Sequence, residues 1–179
     1  RFKFMSGLIL PFRGVLPEID DSAFVAQTAS VIGDVVIGAE SSIWYGVTIR
    51  GDVNEVRIGQ RSSVQDGTVI HEATNTFGTY IGNDVTVAHM VLLHACTLED
   101  NCFIGMSATV MDGAVVEKGA MVAAGALITP GKRVESGQLW AGTPAKYIRD
   151  VSAAEIEMMT VIPPRYVALG QEYLTASKT

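Results

Sequence analysis

The 179-residue chain contains three histidines, His71, His89 and His94, all within one stretch. Imidazole is the side chain that both moves protons and ligates metals near neutral pH. Three neutral imidazoles leave a fourth coordination position for water, the layout of a catalytic rather than a structural zinc site. Water held there ionises near pH ~7, so hydroxide is available at neutrality. Zn2+ suits this donor set, and so do Fe2+ and Co2+.

What must position these rings is a repeat of six. From Val25 the blocks run VAQTAS, VIGDVV, IGAESS, IWYGVT and IRGDVN, each opened by an aliphatic residue. After a slip of three residues come IGQRSS, VQDGTV and IHEATN, then an insertion through Phe77 and Tyr80. The series resumes with IGNDVT, VAHMVL, the shortened LHACT, and then LEDNCF through VESGQL. A period of six fits neither a 3.6-residue helix nor long two-residue alternation. It fits a short strand plus a turn, repeated as one flat face of a triangular prism. The opening residue points inward and stacks on its counterparts in neighbouring coils, while Gly, Asp and Asn supply corners where positive φ is cheap.

Indexed on that prism, His71 follows Ile70 and His94 follows Leu93, which puts both on one face, one coil apart. Coils are spaced by roughly 4.8 Å, close enough for the two rings to reach one metal. His89 is the third residue of VAHMVL, on the preceding face and near a corner. It joins the pair more readily from a neighbouring prism, so the spacing suggests a metal site shared between subunits. Arg50 falls one coil below His71, and Gln65 and Asp66 share the face of His89. Arg50 and Asp66 are therefore expected to pair across such an interface. For Asp52 and Asp66, each beside a glycine, ordinary turn chemistry is the alternative.

Composition narrows the function. Apolar residues make up 48%, charged residues 18%, and mean hydropathy is +0.29, which excludes a disordered chain. The longest weakly polar stretch, Gly119 to Thr129, is shorter than the ~20 residues of a spanning helix, and Pro130 closes it. A net charge of −6 argues against nucleic acid or an anionic membrane as partner. Leu8-Ile9-Leu10 is too short for a signal-peptide core, although the chain begins at Arg1 rather than Met. Two cysteines, Cys96 and Cys102, read as free buried thiols, and a reducing cytoplasm is the expected setting. Met90 and Met106 are expected to be packing residues that could also line the site.

The repeat ends near Leu139, giving a prism over 1–150 and a helical tail over 151–179. Ser152 to Glu155 reads as a capping box opening a helix. Pro163-Pro164 is expected to break it and start a second helical piece. Leu169, Tyr173 and Leu174 would pack that piece on the prism, covering coil edges.

The hexapeptide blocks resemble the hexapeptide-repeat superfamily. IRGDVN, VQDGTVIHE and VAHMVLLH together resemble its γ-class carbonic anhydrase family, over nearly the full chain. The resemblance implies an all-β left-handed parallel β-helix, assembled as a homotrimer, and a lyase converting CO2 to bicarbonate. It implies that His71 and His94 of one chain and His89 of the adjacent chain bind the metal. Arg50, Asp52 and Asp66 match the family's charged residues at the interface and the bicarbonate side, and Gln65 the glutamine beside the metal-bound water. Tyr166 matches an active-site tyrosine, with a packing role as the alternative. The chain departs from members that carry an acidic, proton-shuttling loop after the first histidine. Its segment from Glu72 to Tyr80 has Glu72 as the sole acid and resembles the loop-lacking branch. Three other readings stay open: an acyl-CoA thioesterase using the same metal hydroxide, a hexapeptide acyltransferase with one histidine as base, and a non-catalytic scaffold subunit.

Overall fold

The computed structural model describes residues 7–176; the start at Arg1 lies outside them. The chain winds as a parallel β-solenoid of about seven turns, followed by one helix. Each six-residue block gives a two-residue strand and a turn, and equivalent strands of successive coils hydrogen-bond in parallel. Thr86–Val87, for example, pairs with Ser63–Val64 on one side and Phe103–Ile104 on the other. Every opening aliphatic residue from Val31 to Val134 is buried, and Val25 is partly so. These residues form one continuous column with Val35, Val47, Val56, Val85 and Val91. At about 1.5–3 kcal/mol per buried aliphatic side chain, this column is the main support of the fold.

Two of the departures from the period of six, the slip and the insertion, are absorbed next to the histidines. The strands Ser30–Ile37 and Thr48–Ile58 pair Gly33 with Gly51 and then Val35 with Val56. The slip of three is therefore a wide bulge, in which residues 52–55 stand opposite Asp34 alone. Gly33 makes it possible: its φ is +78°, and a Cβ there would lie 2.1 Å from the Gly51 carbonyl oxygen. The insertion after Ile70 leaves His71 in register with His94, then Tyr80 with Thr97. The extra residues form a small turn closed by Ala73 N–H donating to the Phe77 carbonyl at 3.0 Å.

Corners use more than the expected Gly, Asp and Asn. Glu40, Arg61, Met90 and Ser107 also adopt positive φ. Arg61 is fixed by two hydrogen bonds to Asp84, at 2.8 and 2.7 Å. Met90, with φ of 58°, shares a corner column with Gly67 and lies directly after His89.

Gln138–Gly142 and Ala145–Asp150 close the prism as an antiparallel hairpin. The capping box forms as expected: Glu155 N–H donates to Ser152 Oγ at 3.3 Å, and Ser152 N–H to the Glu155 carboxylate at 2.8 Å. The expected break does not occur. Ala153–Ala176 is one helix running through Pro163 and Pro164, with Met159, Pro163 and Gly170 buried. Packing along its length compensates for the backbone bonds that the two prolines remove. Tyr173 stacks near Phe24 and Trp44, and Leu174 joins the same cluster, but Leu169 is exposed. The helix thus lies along the flank of the prism, on the strands Phe24–Val25 and Ser42–Ile43. The tail's last residues, 177–179, lie outside the described part. No helix among the described residues is long and apolar enough to cross a membrane. Cys96 and Cys102 are buried free thiols, and burial pushes Cys96 up to about 12 and Cys102 higher still.

Candidate metal centre

His71 ends the strand Val69–His71 and His94 ends Leu92–His94, in direct register. Ile70 and Leu93 point into the core, so alternation along each strand sends both imidazoles outward. The ring centroids lie 5.3 Å apart, with His71 Nδ1 3.3 Å from His94 Nε2. Two vertices of a tetrahedron with ~2.05 Å metal–nitrogen bonds are separated by ~3.3 Å. The separation of the two nitrogens matches that of two ligands on one metal.

The outer nitrogens are held by carboxylates. His71 Nε2 lies 3.1 Å from Asp52 Oδ1, and His94 Nδ1 lies 2.7 Å from Asp112 Oδ1. In the neutral rings a proton at each outer nitrogen donates to its carboxylate, and the lone pairs are left on His71 Nδ1 and His94 Nε2. Both lone pairs open onto the same gap. Asp52 is itself gripped by Arg50 at 2.6 Å. Burial works to raise the Asp52 pKa, but the hydrogen bonds from Arg50 and His71 prevail and hold it below the ordinary value. Asp52 thus does more than turn a corner.

His89 sits apart, at the corner column, with Nδ1 2.9 Å from Asp66 Oδ2. This leaves its Nε2 for ligation. Among the described residues, the one group of three potential ligands within 4.8 Å is Asp52, His71 and Glu72, so His89 does not reach the His71–His94 gap from its own chain. Within the chain Arg50 is engaged by Asp52, and Asp66 lies against His89. Gln65 is buried beside Asp66. Tyr166 packs edge-on against Trp44 at 5.4 Å. Burial, and then the charge of Asp66, raise its phenol above the ordinary value.

Two residues of this site were missed in the sequence. Asp112 follows Met111, which stands in the coil beyond His94 on the same face, but Asp-Gly there reads as an ordinary turn. Glu72 follows His71, so alternation turns it inward. Its side chain is fully buried, and its Oε1 accepts hydrogen bonds from the consecutive N–H groups of Asp52, Val53 and Asn54 at 2.9, 2.9 and 3.1 Å. Its Oε2 is buried with no hydrogen-bond partner.

Beside the rings and their carboxylates lies an uncovered apolar strip. Val69 and Leu92 form an exposed column beside His71 and His94, and Tyr45 is exposed on the corner column of His89. Met90 and Met106 are not packing residues within the chain: they are 68% and 55% exposed, because both occupy the outward-turned corner.

Comparisons with known proteins find relatives over most of the chain. A family profile described as "Bacterial transferase hexapeptide (six repeats)" matches residues 95–130. Gamma carbonic anhydrase 2, mitochondrial, of Arabidopsis thaliana is 49% identical over 87% of the chain, which spans 58% of that longer protein. A carbonic anhydrase of Geobacillus kaustophilus is 43% identical over 93% of this chain and 91% of its own length. Among solved structures, a hexapeptide transferase family protein from Anaplasma phagocytophilum superposes with a TM-score of 0.89 at 47% identity, covering 93% of this chain and 98% of that one. With these relatives matched across most of its length, the chain belongs to the γ-carbonic anhydrase family of hexapeptide-repeat proteins.

Proposed function

We propose that the protein is a metal-dependent carbonic anhydrase-like lyase, hydrating CO2 to bicarbonate at sites shared between the subunits of a homotrimer. The observation that carries this reading is the approach of two imidazole nitrogens, His71 Nδ1 and His94 Nε2, to 3.3 Å, with a carboxylate against the opposite nitrogen of each ring. His71 and His94 of one chain and His89 of the next would hold the metal. Zn2+ is the first choice, and Fe2+ or Co2+ suits the same donors. When bound, the metal supplies water acidified to a pKa of about 7, an effect for which carbonic anhydrase is the standard example.

The chain's own residues do the rest. Asp52 and Asp112 keep the outer nitrogens of His71 and His94 protonated and the inner ones free, and Asp66 lies against Nδ1 of His89. Arg50 fixes Asp52, and Gln65 orients the nucleophile or substrate by hydrogen bonding. Val69 and Leu92 offer an apolar wall suited to CO2. Of the two roles open to Tyr166, its edge-on contact with Trp44 supports packing. Glu72 is buried and does not serve as a solvent-facing shuttle, so buffer or a water chain would carry the proton.

The exposed apolar strip of Val69, Leu92, Met90, Met106 and Tyr45 supports association through the faces that bear the histidines. A cytoplasmic setting is part of the proposal and rests on the free thiols.

Stopped-flow CO2 hydration on protein purified without added zinc, with metal analysis of the same sample, tests the reading. Activity proportional to bound metal is expected; a metal-replete protein without hydration activity contradicts it. A solved structure from Bacillus cereus, 39% identical and described as a putative acetyltransferase, supports a second reading, acyl-group turnover. An acyl-CoA assay run in parallel separates the two.

A further inference from the structure

Glu72 is not explained by the fold column or by the metal ligands. A fully buried carboxylate is costly unless something specific requires it. Here one oxygen gathers three successive backbone N–H groups, those of Asp52, Val53 and Asn54. These residues belong to the bulge that departs from the parallel ladder between Gly51 and Val56, so no neighbouring strand pairs with them. The bulge carries Asp52, and Asp52 holds the outer nitrogen of His71. Glu72 is the chain neighbour of His71, so the loop closes on itself: His71 points out, Glu72 points in and grips the segment that grips His71.

We propose that Glu72 is a positioning residue that acts through Asp52, fixing the bulge so that the Asp52 carboxylate locks the His71 ring with Nδ1 open to the metal. Arg50 tethers the same carboxylate from the solvent side, at 2.6 Å. Glu72 supplies the inner tether, on the backbone. The effect on metal affinity rests on the metal reading above; the effect on the His71 ring does not.

The experiment uses the full chain with Glu72→Met, which keeps the length of the side chain but removes the acceptor, and Glu72→Gln, which keeps one. In metal-free protein at about pH 8, imidazole nitrogen–proton correlation spectra report the tautomer of His71. Wild type and Glu72→Gln are expected to show the proton at Nε2, whereas Glu72→Met and the control Asp52→Ala show a mixture. A folded Glu72→Met that keeps the wild-type tautomer overturns the proposal. So does loss of the fold in Glu72→Met, which makes Glu72 a fold residue instead.

Zinc affinity gives the second readout. Glu72→Met is expected to weaken binding about 10-fold or more. In an Asp52→Ala background it should change binding by less than about 2-fold, since the interaction it supports is already gone. Additive losses contradict action through Asp52. If wild type shows the fixed tautomer and binds no zinc, the metal reading fails while the positioning role stands.

Discussion

Asp112 Oδ1 lies 2.7 Å from His94 Nδ1, which turns the free Nε2 of that ring toward His71. Asp52 does the same for His71 from the opposite end of the pair. The two rings are thus oriented before any metal arrives, and the cost of ordering them has been met in folding. Asp112→Ala should weaken zinc binding about 10- to 100-fold, with little loss of stability because the carboxylate is half-exposed and packs in no core. Calorimetric titration against wild type checks this, and unchanged affinity would remove Asp112 from the site.

Met90 adopts φ of 58° at an exposed corner, where a side chain with a Cβ is strained. Glycine relieves that strain, by about 1 kcal/mol. Met90→Gly should therefore leave the isolated fold at least as stable while weakening subunit association, since it deletes the most prominent apolar group beside His89. Sedimentation velocity over a concentration series, with thermal melts alongside, separates the two effects. Unchanged association would show that the corner is not in the interface.

Much of this was legible in the sequence. The block-opening residues from Val31 to Val134 are the buried column that the period of six predicts, and the register of His71 with His94 follows from counting blocks. What escaped has a common cause. Asp112 and Glu72 contribute through hydrogen bonds between coils, and the repeat records which residues point in or out but not what a side chain reaches. The helix through Pro163 and Pro164 escaped because local propensity opposed it and tertiary packing prevailed. Met90 and Met106 were misread as packing residues because hydrophobicity alone does not tell a core from an uncovered face.

Burial raises both cysteine thiols, Cys96 to about 12. At about pH 8 neither should be ionised or accessible, so Ellman's reagent should react with the folded protein only as fast as it opens. Both thiols should titrate promptly in denaturant. Rapid labelling of the native protein would contradict the packing of these two coils.

Glu155 accepts from Arg149 and from Ser152 at the helix start, and these hydrogen bonds lower its pKa from the ordinary 4.5. A depressed folded value means that the contribution to stability is fully present above the ordinary pKa and fades as pH falls through the folded one. The melting temperature of Glu155→Gln should trail wild type above about pH 5, and the gap should narrow in acid. A gap that widens as pH falls would contradict the cap. The group is close to solvent, so the effect should be modest.

The central claim is that adjacent subunits complete one metal site. It is tested most directly by mixing two variants, His89→Ala and the double variant His71→Ala, His94→Ala, unfolding and refolding them together, and measuring bound zinc per chain. Each variant alone should stay folded, because no buried column residue changes, and bind almost no metal. The mixture should regain a substantial fraction of the wild-type content, because an interface that brings the intact pair of one chain to the intact His89 of the other is whole. Full metal in His89→Ala alone, or none regained on mixing, would contradict the shared site.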